Sequence, residues 1–241
     1  DKTKDTHLAE AVKLAGASSD STLRLAALPI ASRLSPDAAA PVVANLVNKG
    51  TIDEKKTAFR TLGFSRHATA DALLAAQLRD LAAGKVPPAV QLELVNAATR
   101  RNSPEIKSLL AARTEAIAKN PDPLAPYQVS LVGGDATRGR RVFETQPVLA
   151  CIRCHRAGGD GGDAGPNLAE IGAKYSREYL LEAIVKPNAK IAAGYDTIVV
   201  TLKNGGSAAG IVASETATLL TLRNTDNQLV EVKKSDIAKR E

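Results

Sequence analysis

The first half of the chain repeats apolar residues at intervals of three and four positions, the spacing of one face of an α-helix. Leu74, Leu78 and Leu81 form the clearest such series. Residues 1–122 are also rich in Ala and Leu, and they show no alternation of β-branched and polar residues. The pattern therefore predicts that this region is helical throughout.

Helix-start signals recur along this region. In Ser35-Pro36-Asp37 and in Ser103-Pro104-Glu105, a hydroxyl that can cap a helix precedes a Pro and an acidic residue. Thr69 is expected to take the capping role between them. The predicted helices are a leading one at 4–17, the first members of three pairs at 23–34, 57–65 and 90–101, and the second members at 36–48, 70–83 and 104–119.

These helix pairs indicate an internal repeat. Taking Ala27, Phe59 and Leu94 as equivalent positions gives spacings of 32 and 35 residues. Helix pairs at such a spacing stack into an α-solenoid, because one pair cannot bury its apolar face alone. The pattern resembles HEAT repeats, in which Pro29 would kink a first helix. An irregular helical bundle is the alternative.

The second half of the chain has a different character. Asn120-Pro121-Asp122-Pro123 ends the helical pattern, and residues 123–133 are predicted to be a linker. Short helices are predicted at 134–146 and 177–185, on either side of a Gly-rich stretch at 156–166. The helical region is therefore assigned to residues 1–122 and a second, smaller helical region to 134–195.

From Thr197 onward the apolar residues alternate with a period of two. Four runs are predicted as strands, at 198–202, 210–213, 218–222 and 229–232, and turn residues such as Asn204-Gly205-Gly206 separate them. Short strands packed this closely predict a small antiparallel barrel or strongly bent sheet over residues 196–241. The fold class is thus mainly α with a small β part.

Composition excludes several classes of function. The 241 residues contain 32 Lys and Arg against 26 Asp and Glu, a net charge of +6 that is scattered along the chain. Aromatic residues make up 3%, so we expect no base-stacking surface and no nucleic-acid partner. No apolar run approaches the ~18 residues of a membrane span, so none is expected. The chain starts at Asp1 and contains no Met, which indicates a processed product or a piece of a longer one.

The candidate chemistry lies in one short motif. Cys151-Ile152-Arg153-Cys154-His155 is a C-x-x-C-H sequence, and it holds both cysteines of the chain. Two thiols three residues apart in a short turn can each add to one vinyl group of a haem, and the following His is then held beneath the iron as an axial ligand. The motif predicts one covalently attached haem c, with Cys151 and Cys154 as anchors and His155 as the proximal iron ligand.

Three other uses of a Cys pair fit the sequence less well. A thioredoxin-like site opens a helix within a βαβ unit, and the pattern shows no such unit. A structural zinc site needs four ligands, and only His7 and His67 are left outside the motif. A disulfide across two intervening residues is strained and leaves His155 without a role.

The surroundings of the motif resemble class I cytochrome c. Gly134-Asp135 and then Gly139-Arg140-Arg141-Val142-Phe143, within the helix predicted at 134–146, precede the motif, and Gly165-Pro166-Asn167-Leu168 follows it. The resemblance implies that the Pro166 carbonyl accepts a hydrogen bond from Nδ1–H of His155, which fixes the ring and raises its donor strength. It also implies haem contacts for Phe143, Asn167 and Leu168.

The stretch from Gly134 to the end of the chain is similar to a narrower group, the haem-binding domains of secreted planctomycete and verrucomicrobial proteins. Such domains often follow HEAT-like repeats and sometimes a sugar-dehydrogenase-like propeller. The strands after Tyr195 resemble an Sm-like or SH3-like insert. Because this type of haem attachment takes place outside the cytoplasmic membrane, the resemblance implies a periplasmic or other extracytoplasmic location.

The chain departs from class I cytochromes at the sixth iron ligand. Those proteins supply a Met, and this chain contains none. Lys190 lies in the stretch that resembles the ligand loop, and His67 and His7 lie in the helical region. We expect the iron in this chain to be five-coordinate or to bind water or a substitute ligand, and the longer natural product to supply a Met after Glu241.

These observations predict a c-type cytochrome that carries single electrons through haem c, an electron-transfer protein rather than an enzyme. The expected partner is a redox protein such as a sugar or alcohol dehydrogenase domain. Two alternatives stay open: a haem enzyme or gas sensor with an open sixth position, and a helical-repeat scaffold whose haem is ancillary. The small number of His residues counts against the first of these.

Overall fold

The computed structural model of the chain describes residues 6–241. Internal contacts divide it into two compact units, one up to Gly134 and one from Asp135 to Glu241. The segments predicted as haem domain and β subdomain therefore fall, apart from Gly134, within one compact unit. Across residues 6–241, no helix combines the length and the apolar character that crossing a membrane requires.

The first unit is built from helices joined by short loops. These are α1 (Thr6–Gly16), α2 (Ser21–Leu34), α3 (Pro36–Lys49), α4 (Ile52–Phe64), α5 (Thr69–Ala82), α6 (Pro88–Thr99) and α7 (Pro104–Ala118). They agree with the predicted helices to within a few residues, except that α4 begins five residues before its prediction. Residues 4 and 5 of the predicted leading helix lie outside the described range.

The core of this unit consists of the apolar stripes that predicted its helices. Phe59, Leu74, Leu94 and Ile106 are fully buried there and come from four successive helices, α4 to α7. Each helix thus buries one face against its neighbours, which is the source of most helix stability in proteins. The resulting arrangement is helical, as the sequence predicted.

The helix starts differ in detail from the prediction. Neither Ser35 nor Ser103 makes a side-chain cap hydrogen bond, and Thr69 is the first residue of α5 rather than its cap. The full capping arrangement is instead at α4, where the Thr51 hydroxyl accepts from the Glu54 amide and the Glu54 carboxylate accepts from the Thr51 amide. Pro at the first helical position marks α3 and α7 without such a cap.

The stretch predicted as a linker contains a 3-10 helix over Ala125–Ser130. This helix contacts α6 and α7, and Ala125 is buried. Glu93 on α6 is also buried, and within residues 6–241 its Oε2 atom has no hydrogen-bond partner. The backbone of residues 125–133 is therefore part of the first unit.

The second unit begins with short helices and ends with a sheet. The helices are α8 (Ala136–Thr145), α9 (Cys151–Cys154), α10 (Ile171–Lys174) and α11 (Arg177–Val185), and the strands are β1 (Thr197–Leu202), β2 (Ser207–Glu215), β3 (Leu219–Arg223), β4 (Leu229–Lys233) and β5 (Ile237–Arg240). A 3-10 turn at Lys234–Asp236 leads into β5.

The sheet is antiparallel and open. Its strand order is β4-β3-β2-β1-β5, so β4 and β5 are its two edges. Leu220 lies opposite Val232, and Ile198 lies opposite Gly210. Val200, Leu220, Leu222 and Val232 form its small core. Of the two predicted forms, a barrel or a bent sheet, the structure has the antiparallel sheet: the barrel would require the edge strands β4 and β5 to pair with each other, and they do not.

Residues 135–195 differ from the sheet in how little of them is buried. In this segment only Gly162 and Gly165 are buried, and neither has an apolar side chain. Its helices α8 to α11 contain no buried residue. The segment therefore has no hydrophobic core made of its own side chains.

Candidate functional site

The two cysteines lie on a single turn of helix. Cys151 and Cys154 are the first and last residues of α9, so their side chains share one face, as residues three apart do in a helix. Both are free thiols and half-buried. Ala150 precedes the helix in the left-handed conformation, with φ of 47°, and this reversal of the chain allows the turn to begin at Cys151.

His155 ends the turn and has a defined hydrogen-bond partner. Its backbone amide donates to the Cys151 carbonyl at 3.0 Å, and its ring Nδ1 lies 2.9 Å from the Pro166 carbonyl oxygen. A carbonyl oxygen can only accept, so Nδ1 must carry the hydrogen. In the neutral ring Nε2 then keeps its lone pair, which is the form that binds a metal.

The loop after the motif lies against the His155 ring. A Cβ added to Gly165 would lie 2.7 Å from His155 Nδ1, a distance that real Cβ atoms do not show. The Gly165 amide also donates to the Cys154 carbonyl at 2.7 Å. Only glycine allows the backbone to approach the ring this closely.

Further backbone hydrogen bonds fasten this loop to the motif. The Gly162 amide donates to the Ile152 carbonyl at 2.9 Å, and the Leu168 amide donates to the Arg156 carbonyl at 2.7 Å. Arg156 also forms an isolated β-bridge with Gly161. The Gly-rich stretch thus folds back on the motif and packs against His155.

The remaining predicted site residues, Phe143, Asn167 and Leu168, lie close to the motif in sequence or on a helix that contacts it. Phe143 is half-buried on α8, which contacts α9. Asn167 is exposed, and its side-chain oxygen accepts from the Ala169 amide at 2.9 Å, so it shapes the loop. Leu168 is half-buried. The structure therefore brings together Cys151, Cys154, His155 and Pro166, and it places the other three around them.

Two contacts to this site come from the sheet, and the sequence did not predict them. Arg153 forms an ion pair with Asp226, and the Asp163 amide donates to Asn227 Oδ1 at 3.0 Å. The partners of the second contact are 64 positions apart. No local sequence pattern predicts a pairing over such a separation.

Lys190, the only candidate ligand for the iron on this unit outside the motif, is bound to a carboxylate. Its Nζ donates to Glu182 at 2.7 Å and lies 5.3 Å from the centre of the Tyr179 ring. The hydrogen bond and charge of Glu182 raise the pKa of Lys190. The amine is therefore held protonated, and a protonated amine has no lone pair for iron.

The two thiols and the His155 ring are the donors that haem c requires. The segment 135–195 also exposes large apolar residues, among them Val142, Val148, Leu149, Ile184 and Ile191. Val148 and Leu149, just before Cys151, are 92% and 60% exposed. A flat apolar ring bonded to the two thiols would cover apolar side chains that lie beside them, and it would supply part of the core that residues 135–195 lack.

Comparison with known proteins gives one family. Residues 136–219 match the model of the cytochrome c family, which is about a third of the chain. No curated protein matches the chain. The cytochrome c match implies covalently bound haem c, and it supports electron transfer and a redox partner as the function of this region. Cytochrome c domains are typically extracytoplasmic.

Proposed function

We propose that the second unit is a c-type cytochrome that exchanges single electrons with a partner protein. The thiols of Cys151 and Cys154 hold the haem by thioether bonds, and His155 binds its iron through Nε2. The haem supplies a one-electron redox couple when bound. The protein residues hold that group in place and set its potential through ligand, hydrogen bonding and burial.

The hydrogen bond from His155 to Pro166 is the observation that carries this proposal. It fixes the orientation of the ring and the position of its hydrogen in a loop that directly follows two thiols on one helical turn. Donation from Nδ1 makes Nε2 a stronger donor to a metal. Phe143, Asn167 and Leu168 are proposed to line the haem edge.

Replacing both thiols tests the attachment. In the double variant Cys151→Ser, Cys154→Ser, haem should be lost on denaturing extraction, because a hydroxyl does not form the thioether. The measurement is the haem absorbance that stays with the protein after acid–acetone treatment. Ile152→Ser is the control. It introduces a Ser at one of the two positions between the thiols, and it should keep haem attached. Haem that resists extraction from the double variant would exclude the proposal.

The wider assignment rests on the sequence resemblance and on charge. We propose that the first unit is a HEAT-like repeat platform, that the protein works in the periplasm and that the electron donor is a dehydrogenase or a dehydrogenase domain. Helix α8 supports an acidic partner, because it carries Arg138, Arg140 and Arg141 against one acid, Glu144. Opposite charge on a partner would speed encounter with this side of the site.

A further inference from the structure

The turn between β3 and β4 is built as a rigid corner. Asn224 Oδ1 accepts from the amides of Asp226 and Gln228, at 3.0 and 2.9 Å. Asn227 adopts the left-handed conformation with φ of 63°. Asn is one of the few residues other than Gly that takes this conformation readily. The side chain of Asn227 is thereby held in one direction by the turn itself.

The Asn227 side-chain oxygen serves two donors. It accepts from the Asp163 amide at 3.0 Å and from Arg223 Nη1 at 3.1 Å. Arg223 also donates to the Asn227 carbonyl at 3.3 Å. The contact with Asp163 is partly buried, so a lost partner there costs more than on an open surface.

Asp163 lies at the centre of the loop that contacts His155. Its carboxylate accepts from Arg156 Nη2 at 2.6 Å, and Arg156 directly follows His155. Two residues further along, Gly165 and then Pro166 contact the His155 ring. The position of the Asp163 backbone therefore influences how the Gly165 backbone and the Pro166 carbonyl lie against the His155 ring.

We propose that Asn227 is a positioning residue for His155. Its side chain holds the Asp163 backbone, and through the loop 163–166 it sets how closely the Pro166 carbonyl approaches His155 Nδ1. The β-sheet then contributes to the haem site, because its β3–β4 turn helps to hold the iron ligand in position. This inference rests on the proposed role of His155 as iron ligand.

The neighbouring ion pair is the weaker of the two ties. The side chains of Arg153 and Asp226 are each 59% exposed, and ion pairs at such positions contribute little to stability. The hydrogen bond from the Asp163 amide to Asn227 is neutral and partly buried, so solvent weakens it less than it weakens the exposed ion pair. Asn227 is therefore the residue to change.

Asn227→Gly is the test variant, because glycine keeps the left-handed backbone and removes the amide oxygen. Asn227→Asp is the rescue, since it keeps an acceptor oxygen beside Arg223. Asn204→Gly is the matched control: Asn204 lies in the β1–β2 turn, and in the described part of the chain its side chain accepts a hydrogen bond from Gly206 alone. All three are made in the full chain loaded with haem.

Two measurements separate positioning from a merely structural role. Hydrogen exchange of the Asp163 amide should become about fivefold faster in Asn227→Gly, the change that the loss of a bond worth about 1 kcal/mol produces. The midpoint potential should rise, because a longer His155–Pro166 bond weakens the donor that stabilises ferric iron. The exchange rate should return to wild type in Asn227→Asp, which keeps the acceptor oxygen, and both values should stay unchanged in Asn204→Gly.

An unchanged potential in a folded Asn227→Gly protein would overturn the inference, and so would an equal shift in Asn204→Gly. The failure of the proposed function looks different. If the wild-type chain carries no covalent haem, that proposal fails, while exchange of the Asp163 amide still reports whether Asn227 holds the loop.

Discussion

At the scale of single residues, the site depends as much on how closely the loop backbone approaches the His155 ring as on the chemistry of the thiols and the imidazole. His155 is held on one edge by a carbonyl and on one face by a glycine backbone. Both contacts come from a loop of small residues in which Gly162 and Gly165 are buried. A side chain at Gly162 or at Gly165 would have no space to occupy.

Replacing Gly165 with Ala should therefore displace the His155 ring. The added Cβ would lie 2.7 Å from Nδ1, so either the ring or the loop must move. Overpacking of this kind costs about 1–3 kcal/mol. Thermal unfolding of the haem-loaded protein should occur at lower temperature, with a shifted haem absorption band. Gly172→Ala, where nothing lies within 4 Å, should change neither.

Glu93 gives a prediction for the first unit. It is 5% exposed, and its Oε2 atom has no partner among the described residues. Burying a polar atom without a hydrogen bond is unfavourable. Glu93→Met, which keeps the length of the side chain, should raise the free energy of unfolding by about 1 kcal/mol. Urea unfolding measures this, and Glu115→Met at an exposed position should change it little. A loss of stability in Glu93→Met would contradict the argument.

At the scale of elements, local signals decided which predictions held. The apolar stripes of α4 to α7 lie within one helix each, so the sequence shows them directly. The capping box at Thr51 and Glu54 also has a local pattern, the S/T-x-x-E spacing, and sequence reasoning overlooked it. Strand β5 was not predicted as a run, because Ile237 is its only large apolar residue.

The capping box makes the stability of the first unit depend on pH. The hydrogen bond from the Thr51 amide, followed by that from its hydroxyl, lowers the pKa of Glu54 below its ordinary value of 4.5. A depressed carboxyl pKa stabilises the fold above the unfolded value and loses that effect as pH falls through the folded value.

Glu54→Gln should therefore destabilise the protein near pH 7 by a few tenths of a kcal/mol, and the difference should vanish as pH falls below 4.5. Denaturant unfolding at several pH values measures it. Glu10→Gln, at an exposed position on α1, serves as the control and should follow the wild-type profile. A difference that persists at low pH would show that Glu54 acts by packing rather than by charge.

At the scale of the whole molecule, long-range pairing limited what the sequence predicted. Whether the strands close into a barrel depends on which edges meet, and the strand order β4-β3-β2-β1-β5 leaves both edges open. The motif itself was fully visible, because Cys151, Cys154 and His155 are adjacent in sequence. Its attachment to Asn227 was not, because turn residues look alike whether they face solvent or a partner.

Charge at α8 gives a prediction for electron transfer. If the donor is acidic, its encounter with the cytochrome unit is steered by charge, and salt screens that attraction. The rate of haem reduction by the donor should fall as ionic strength rises, and the fall should be smaller in the variant Arg138→Gln, Arg141→Gln. The double variant Lys203→Gln, Lys233→Gln, at two exposed positions in or next to the sheet, removes the same number of charges and should keep the wild-type slope. A rate independent of salt would exclude steering by α8.

The contact between Asp163 and Asn227 also bears on the order in which parts of the site fold. The two residues lie 64 positions apart, so a long loop must close before that contact can form. Closing so long a loop is slow relative to local helix formation. The turn that bears the thiols needs only contacts among its own residues, so it can form first. The segment around it is fixed later, when the turn between β3 and β4 reaches Asp163.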